Sequence, residues 1–118
     1  MIGEVSSYIL PSLNKILSPL EMTGHTMFVY ILTNKNKTVL YVGVTNNLAR
    51  RVAEHRAEAE GLRKSFCGRY NCYYLLYYEQ FKRPLEAIAR EKELKKWSRE
   101  KKDLLISSDN PNWEFIDP

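Results

Sequence analysis

The chain has 118 residues, with 18 Lys+Arg against 14 Asp+Glu and a formal net charge of +4. Such a length is expected to hold one domain with a modest core and no second full domain, and 44% hydrophobic with 27% charged residues excludes wholesale disorder. No apolar stretch reaches membrane-spanning length, residues 1–26 lack the pattern of a secretory leader, and Cys67 and Cys72 are too few for a disulfide scaffold or a zinc site; a reducing, cytoplasmic location is the expectation.

Residues 1–26 read as an N-terminal extension or linker. Leu10, Leu13, Leu17 and Leu20 stand at helical spacing but are interrupted by Pro11 and Pro19. From residue 27 to 118 the pattern is that of one domain. Met27–Thr33 is a β-rich run, Asn34–Lys37 a polar turn, and Thr38–Val44 a second β-rich run, together predicting an antiparallel hairpin. Thr45, Asn46 and Asn47 are N-cap candidates for a helix over about Leu48–Glu60. Residues 61–71 read as a loop, and Cys72–Tyr78 as a third strand. Pro84 suits the first turn of a helix running to about Lys102, with a short helix over Leu104–Ile106 and a closing Asn110–Trp113 segment. The order β-β-α-β-α-α predicts an α/β (α+β) fold: a small three-stranded antiparallel sheet flanked by helices.

The mild net charge conceals a division. Residues 1–26 carry −1, Lys35–Lys102 carry +9, and Asp103 to the end carries −4. Clustered positive charge attracts polyphosphate through Coulomb interaction and counterion release. A solvated lysine-rich face would produce the same run.

Helical periodicity places several polar groups on inward faces. With Leu48 at zero, Val52, His55 and Ala59 fall within about 40°, and Arg51 about 60° away, whereas Arg50 and Glu54 fall on the other side. His55 is thus a hydrogen-bonded core histidine or a catalytic base, and Arg51 a side chain covering the core or a functional cation. In the later helix, measured from Leu85, the apolar residues Ala87, Ile88, Leu94 and Trp97 fill an arc from about 120° to 300°. Glu91 falls near 240°, inside that arc, with Arg90 and Lys95 near its margins and Lys92, Lys96 and Arg99 outside it. An inward carboxylate costs several kcal/mol unless a cation, metal or hydrogen bonds compensate. It predicts either a structural ion pair, with Arg51 as the candidate partner, or a ligand for a hard divalent cation. Tyr30 and Tyr41 lie on the hairpin strands, where core packing explains most tyrosines, and Gly43 inside a strand marks a bulge or a close approach.

In combination these residues resemble the GIY-YIG nuclease domain. Phe28-Val29-Tyr30, Tyr41-Val42-Gly43, Arg51, His55, Glu91 within Ala89–Lys92, and Asn110-Pro111-Asn112-Trp113 occur in order across about residues 27–115. The likeness is to small stand-alone bacterial members related to the N-terminal domain of the excision-repair incision subunit. Phe28 departs from the name-giving Gly.

The resemblance implies a metal-dependent DNA endonuclease hydrolysing phosphodiester bonds, in DNA repair or recombination. Glu91 would hold Mg²⁺ or Mn²⁺, Arg51 would brace the phosphate, Tyr30 or Tyr41 would orient or deprotonate the attacking water, and His55 would serve as second base or hydrogen-bond partner. Gly43 and Asn110 would support the site. DNA, including branched and single-stranded forms, would meet Arg63, Lys64, Arg69, Lys92, Lys95, Lys96 and Arg99. The alternative is a non-catalytic nucleic-acid-binding module on a nuclease-like fold.

Overall fold

The computed structural model describes residues 26–61 and 66–118. Most of the predicted N-terminal extension, with Leu10 to Leu20, lies outside them, as do Arg63 and Lys64. Strands β1 (Met27–Thr33), β2 (Leu40–Thr45) and β3 (Tyr74–Phe81) form one antiparallel sheet in the order β2-β1-β3. The helices are α1 (Leu48–Glu60), α2 (Phe66–Tyr70), α3 (Pro84–Lys96) and α4 (Arg99–Asp109).

β1 is the central strand, and its side chains alternate between two cores. Met27, Val29 and Ile31 join Val42, Leu76, Ala87, Leu94 and Ile106 in one cluster. Tyr30 and Leu32 join Leu48, Cys67, Cys72 and Leu75 in the other. The first cluster draws on α3 and α4, the second on α1 and α2, so the central strand is a nearly unbroken buried run.

The hairpin and the first long helix form as predicted, with Asn47 the N-cap whose side chain accepts from the Arg50 amide. Several boundaries differ, most of them for a local reason. β2 begins at Leu40 rather than Thr38, because the Asn34 carboxamide oxygen captures the amides of Thr38 at 2.8 Å and Val39 at 3.1 Å. The predicted 61–71 loop contains α2, closed by Asn71 at φ 57° and by the Cys72 amide donating to the Cys67 carbonyl. β3 therefore starts two residues later than expected and runs on to Phe81, which pairs with Met27. The helix from Pro84 stops at Lys96 rather than near Lys102. Ser98, extended, accepts from the Lys101 amide and begins a new helix.

Two arginines fasten helices to the sheet region. Arg90 makes a paired contact to Glu79, with both nitrogen–oxygen distances 2.9 Å, while the Tyr77 hydroxyl donates to the same carboxylate at 2.6 Å. Arg99 pairs with Asp103 and donates to the carbonyls of Thr38 and Lys37, holding α4 against the hairpin turn. Among the described residues no helix is long and apolar enough to cross a membrane.

Candidate active site

The β1–β2 register sets Gly43 directly opposite Tyr30. A Cβ at residue 43 would lie 2.5 Å from the Tyr30 ring carbon Cζ and would collide with the hydroxyl. The close approach expected at Gly43 is therefore that of the Tyr30 side chain itself. Tyr30 is 1% exposed, and its hydroxyl lies 3.0 Å from His55 Nε2 in a buried hydrogen bond. Burial, reinforced by the Arg51 guanidinium, pushes the His55 pKa well below its ordinary value. The imidazole is consequently neutral at pH 7, with one nitrogen able to accept a proton. Burial raises the Tyr30 pKa, and the charge of Arg51 only partly opposes this. Tyr30 is thus a neutral phenol in the protein alone.

Helix α1 brings Arg51 to this pair, one turn before His55. Its side chain is 35% exposed against 48% for Arg50, the inward–outward distinction that periodicity predicted. Arg51 is paired with Glu54 at 2.8 Å. Burial works against its charge and the Glu54 carboxylate supports it, and the guanidinium stays cationic.

Tyr41 and α3 complete the group. The Tyr41 ring lies edge-on to His55 at 5.2 Å between centroids and 6.3 Å from the Tyr30 ring. Glu91 is 5% exposed and paired with Lys95 Nζ at 2.6 Å, while Lys95 stands 6.0 Å from the Tyr41 ring centroid. The partner of the inward carboxylate is Lys95, one helical turn away, rather than the Arg51 considered from sequence. Burial raises the Glu91 pKa, with Lys95 and Lys92 pulling in the opposite direction. The negative charge of Glu91 is felt at Tyr30 as well.

Five sequence-selected residues from four elements thus form one neighbourhood: Tyr30, Tyr41, Arg51, His55 and Glu91. It combines fixed positive charge, a buried carboxylate, a neutral imidazole and two phenols. The remaining candidates divide. Lys92, Lys96 and Arg69 are exposed, whereas Arg99 has its guanidinium engaged by Asp103 and two backbone carbonyls. Asn110 caps α4 and bonds Leu76 and Glu114, tying the C-terminal segment to β3. Sequence reasoning missed the tie of Lys95 to Glu91, although their i,i+4 spacing was the available signal. It also missed Phe66, whose ring stacks on Tyr41 with centroids 6.0 Å apart. A separate groove of about 370 Å³ lies on another flank of α1, between Val52, Arg56, Tyr73, Tyr74 and Phe115.

The cluster thus sits against β1, β2, α1 and α3 of a helix-flanked antiparallel sheet. The GIY-YIG catalytic domain family matches residues 26–103, and the chain belongs to that family. A UPF0213 protein of Natronomonas pharaonis is 42% identical over 82 residues, covering 70% of this chain and 92% of the relative. UPF0213 proteins of Desulfotalea psychrophila and Clostridium perfringens are 35% and 38% identical, covering 75% and 69% of this chain and 78% and 83% of their own lengths. A solution NMR structure of a UPF0213 protein of Bacillus halodurans is also similar, at 32% identity and a TM-score of 0.47, covering 75% of this chain and 90% of that one.

Proposed function

We propose that this protein is a DNA endonuclease that hydrolyses phosphodiester bonds with a divalent cation, Mg²⁺ or Mn²⁺, and acts in DNA repair or recombination. The observation that carries the reading is the 5%-exposed carboxylate of Glu91, set among Arg51, Lys95, Tyr41 and the Tyr30–His55 pair.

The donor set suits a hard cation held through one protein carboxylate. Among the described residues no group of three or more His, Cys, Asp or Glu could form an all-protein cage. Mg²⁺ commonly keeps several waters and takes one or two carboxylates together with substrate phosphate oxygens, and Glu91 provides such a carboxylate. When bound, the cation supplies Lewis-acid polarisation of the phosphate and charge stabilisation at the departing 3′ oxygen.

The chain's own groups account for the rest. Arg51, with a planar fork of donors, binds the phosphate and stabilises charge developing on its oxygens. Lys95 adds a second cation beside Tyr41. Tyr41, the less buried of the two phenols, orients the attacking water. Tyr30 fixes the His55 ring through its hydrogen bond. His55, neutral in the free protein, accepts the proton that water releases in the tautomer whose Nε2–H donates to the Tyr30 hydroxyl and leaves Nδ1 unprotonated. Exposed Lys92, Lys96 and Arg69 contact the DNA backbone by charge, giving little sequence preference.

One observation favours the second reading, a binding module that does not cut. The 2.6 Å ion pair with Lys95 engages the carboxylate that the cation needs. A cleavage assay over duplex, flap, branched and single-stranded DNA, with Mg²⁺, Mn²⁺ or EDTA, separates the two. Metal-dependent nicking of at least one substrate is expected; retained binding with no cutting across the whole panel would establish the module instead.

A further inference from the structure

Helix α2 is folded against the usual burial order. It hides its small residues, Cys67 and Gly68, and leaves Phe66 42% and Tyr70 46% exposed. Large rings are normally the ones removed from water, and exposed apolar groups that adjoin one another mark interaction sites. The two rings lie one turn apart with centroids 4.9 Å from each other. Phe66 in turn stacks on Tyr41, with an interplanar angle of 27°, and Tyr41 meets His55 edge-on. An unbroken row of rings therefore runs from solvent into the candidate active site: Tyr70, Phe66, Tyr41, His55.

We propose that Phe66 and Tyr70 form a stacking platform for an unpaired base of the strand whose phosphate sits at Arg51 and Glu91. The inference rests on the nuclease reading of that site and adds a substrate class: nucleic acid that is single-stranded beside the scissile phosphate. Two features point to a nucleobase as the occupant. The inner end of the row, Tyr41 and His55, adjoins Lys95 and lies one helical turn from Arg51, which brings the platform within reach of a strand bound there. Cations also flank the rings, with Arg69 exposed on α2 and Lys95 over Tyr41, which suits a ligand that alternates aromatic faces with negative charge. A ring accepts the π-face of any base, and a base inside a duplex does not present that face.

The test measures binding by the full-length protein in EDTA, with a fluorescein-labelled single-stranded DNA of about 12 nucleotides and the corresponding duplex as probes. Phe66→Ala is expected to weaken single-strand binding about 5- to 100-fold, the equivalent of one lost base stack, with duplex binding changed by less than about twofold. Phe66→Tyr should retain wild-type affinity, and Phe66→Leu should lose it as Ala does. Tyr70→Ala provides a second variant at an exposed position, and an unchanged melting temperature certifies each fold. Equal losses on single strand and duplex would overturn the platform, as would unaltered binding by both Ala variants. A Leu variant that binds like wild type would show an apolar contact without stacking, as for a protein partner, and would also overturn it. Cleavage is read separately: its absence in the wild type refutes the nuclease reading, whereas intact cleavage with single-strand binding unaltered in both Ala variants refutes the platform alone.

Discussion

Gly43→Ala probes the packing on which the candidate site depends. The added Cβ would stand 2.5 Å from Tyr30 Cζ and 3.0 Å from Cε1, and would collide with the hydroxyl. Ordinary contact requires the ring to withdraw by roughly 1 Å, in a core where displacement forces neighbouring side chains off their rotamers. Tyr30 has little room, being 1% exposed, and its hydroxyl is fixed at 3.0 Å from His55. Overpacking of this kind costs about 1–3 kcal/mol. For a domain of this size that corresponds to a fall in Tm on the order of 10 °C. Thermal denaturation followed by circular dichroism measures the loss. In a Tyr30→Ala background the same change should cost far less, because the Cβ then enters vacated space, and the double-mutant cycle should give a coupling above about 1 kcal/mol. A Gly43→Ala protein within about 0.5 kcal/mol of wild type, or costs that simply add, would mean that the Tyr30 ring is not packed against residue 43.

Three further outcomes follow from the charges at the site. Burial raises the Glu91 pKa, so the folded state holds its proton more tightly than the unfolded chain, and stability is lost as pH rises through that window. Glu91→Gln should therefore be more stable than wild type at pH 7, by roughly 0.5–2 kcal/mol, with the advantage fading near pH 4; equal melting temperatures at pH 7 would contradict this. His55 behaves oppositely: its lowered pKa means the unfolded chain binds the extra proton, so it removes stability below about pH 6.5, by up to about 1.4 kcal/mol per pH unit. His55→Gln should flatten the decline of stability with acidification, and parallel slopes for the two proteins would exclude the buried neutral imidazole. Lys95→Ala leaves Glu91 buried without its 2.6 Å partner and should cost about 1–2 kcal/mol, less than a fully buried pair because Lys95 is 30% exposed. Adding Glu91→Gln should restore most of that stability in urea denaturation.

Periodicity carried most of the fold because both cores are built from regular faces. The alternating residues of β1 and the apolar arc of α3 give the sheet its two sides, and the exposure of Leu85 confirms the phase of that arc. The same rule separated Arg51 from Arg50 and brought Glu91 inward. What escaped it was side-chain chemistry at short range. The Asn34 carboxamide shortened β2, Ser98 divided one expected helix into two, and Asn71 closed an unforeseen turn of helix. The predicted loop around Phe66 hid the aromatic row, since five residues are too few for a periodic signal. Partner choice was equally local. Lys95 reaches Glu91 along one helix, and no spacing argument weighs that contact against one from another element.

The central claim is that Glu91 holds the cation required for cutting DNA. Its most direct measurement compares wild type with Glu91→Ala on a DNA substrate cut by the wild type, following single-turnover nicking in Mg²⁺ and binding affinity in EDTA. The expected result is cleavage reduced to background in the variant, with binding within a few-fold of wild type. Unchanged nicking by a nuclease-free preparation of Glu91→Ala would contradict the claim.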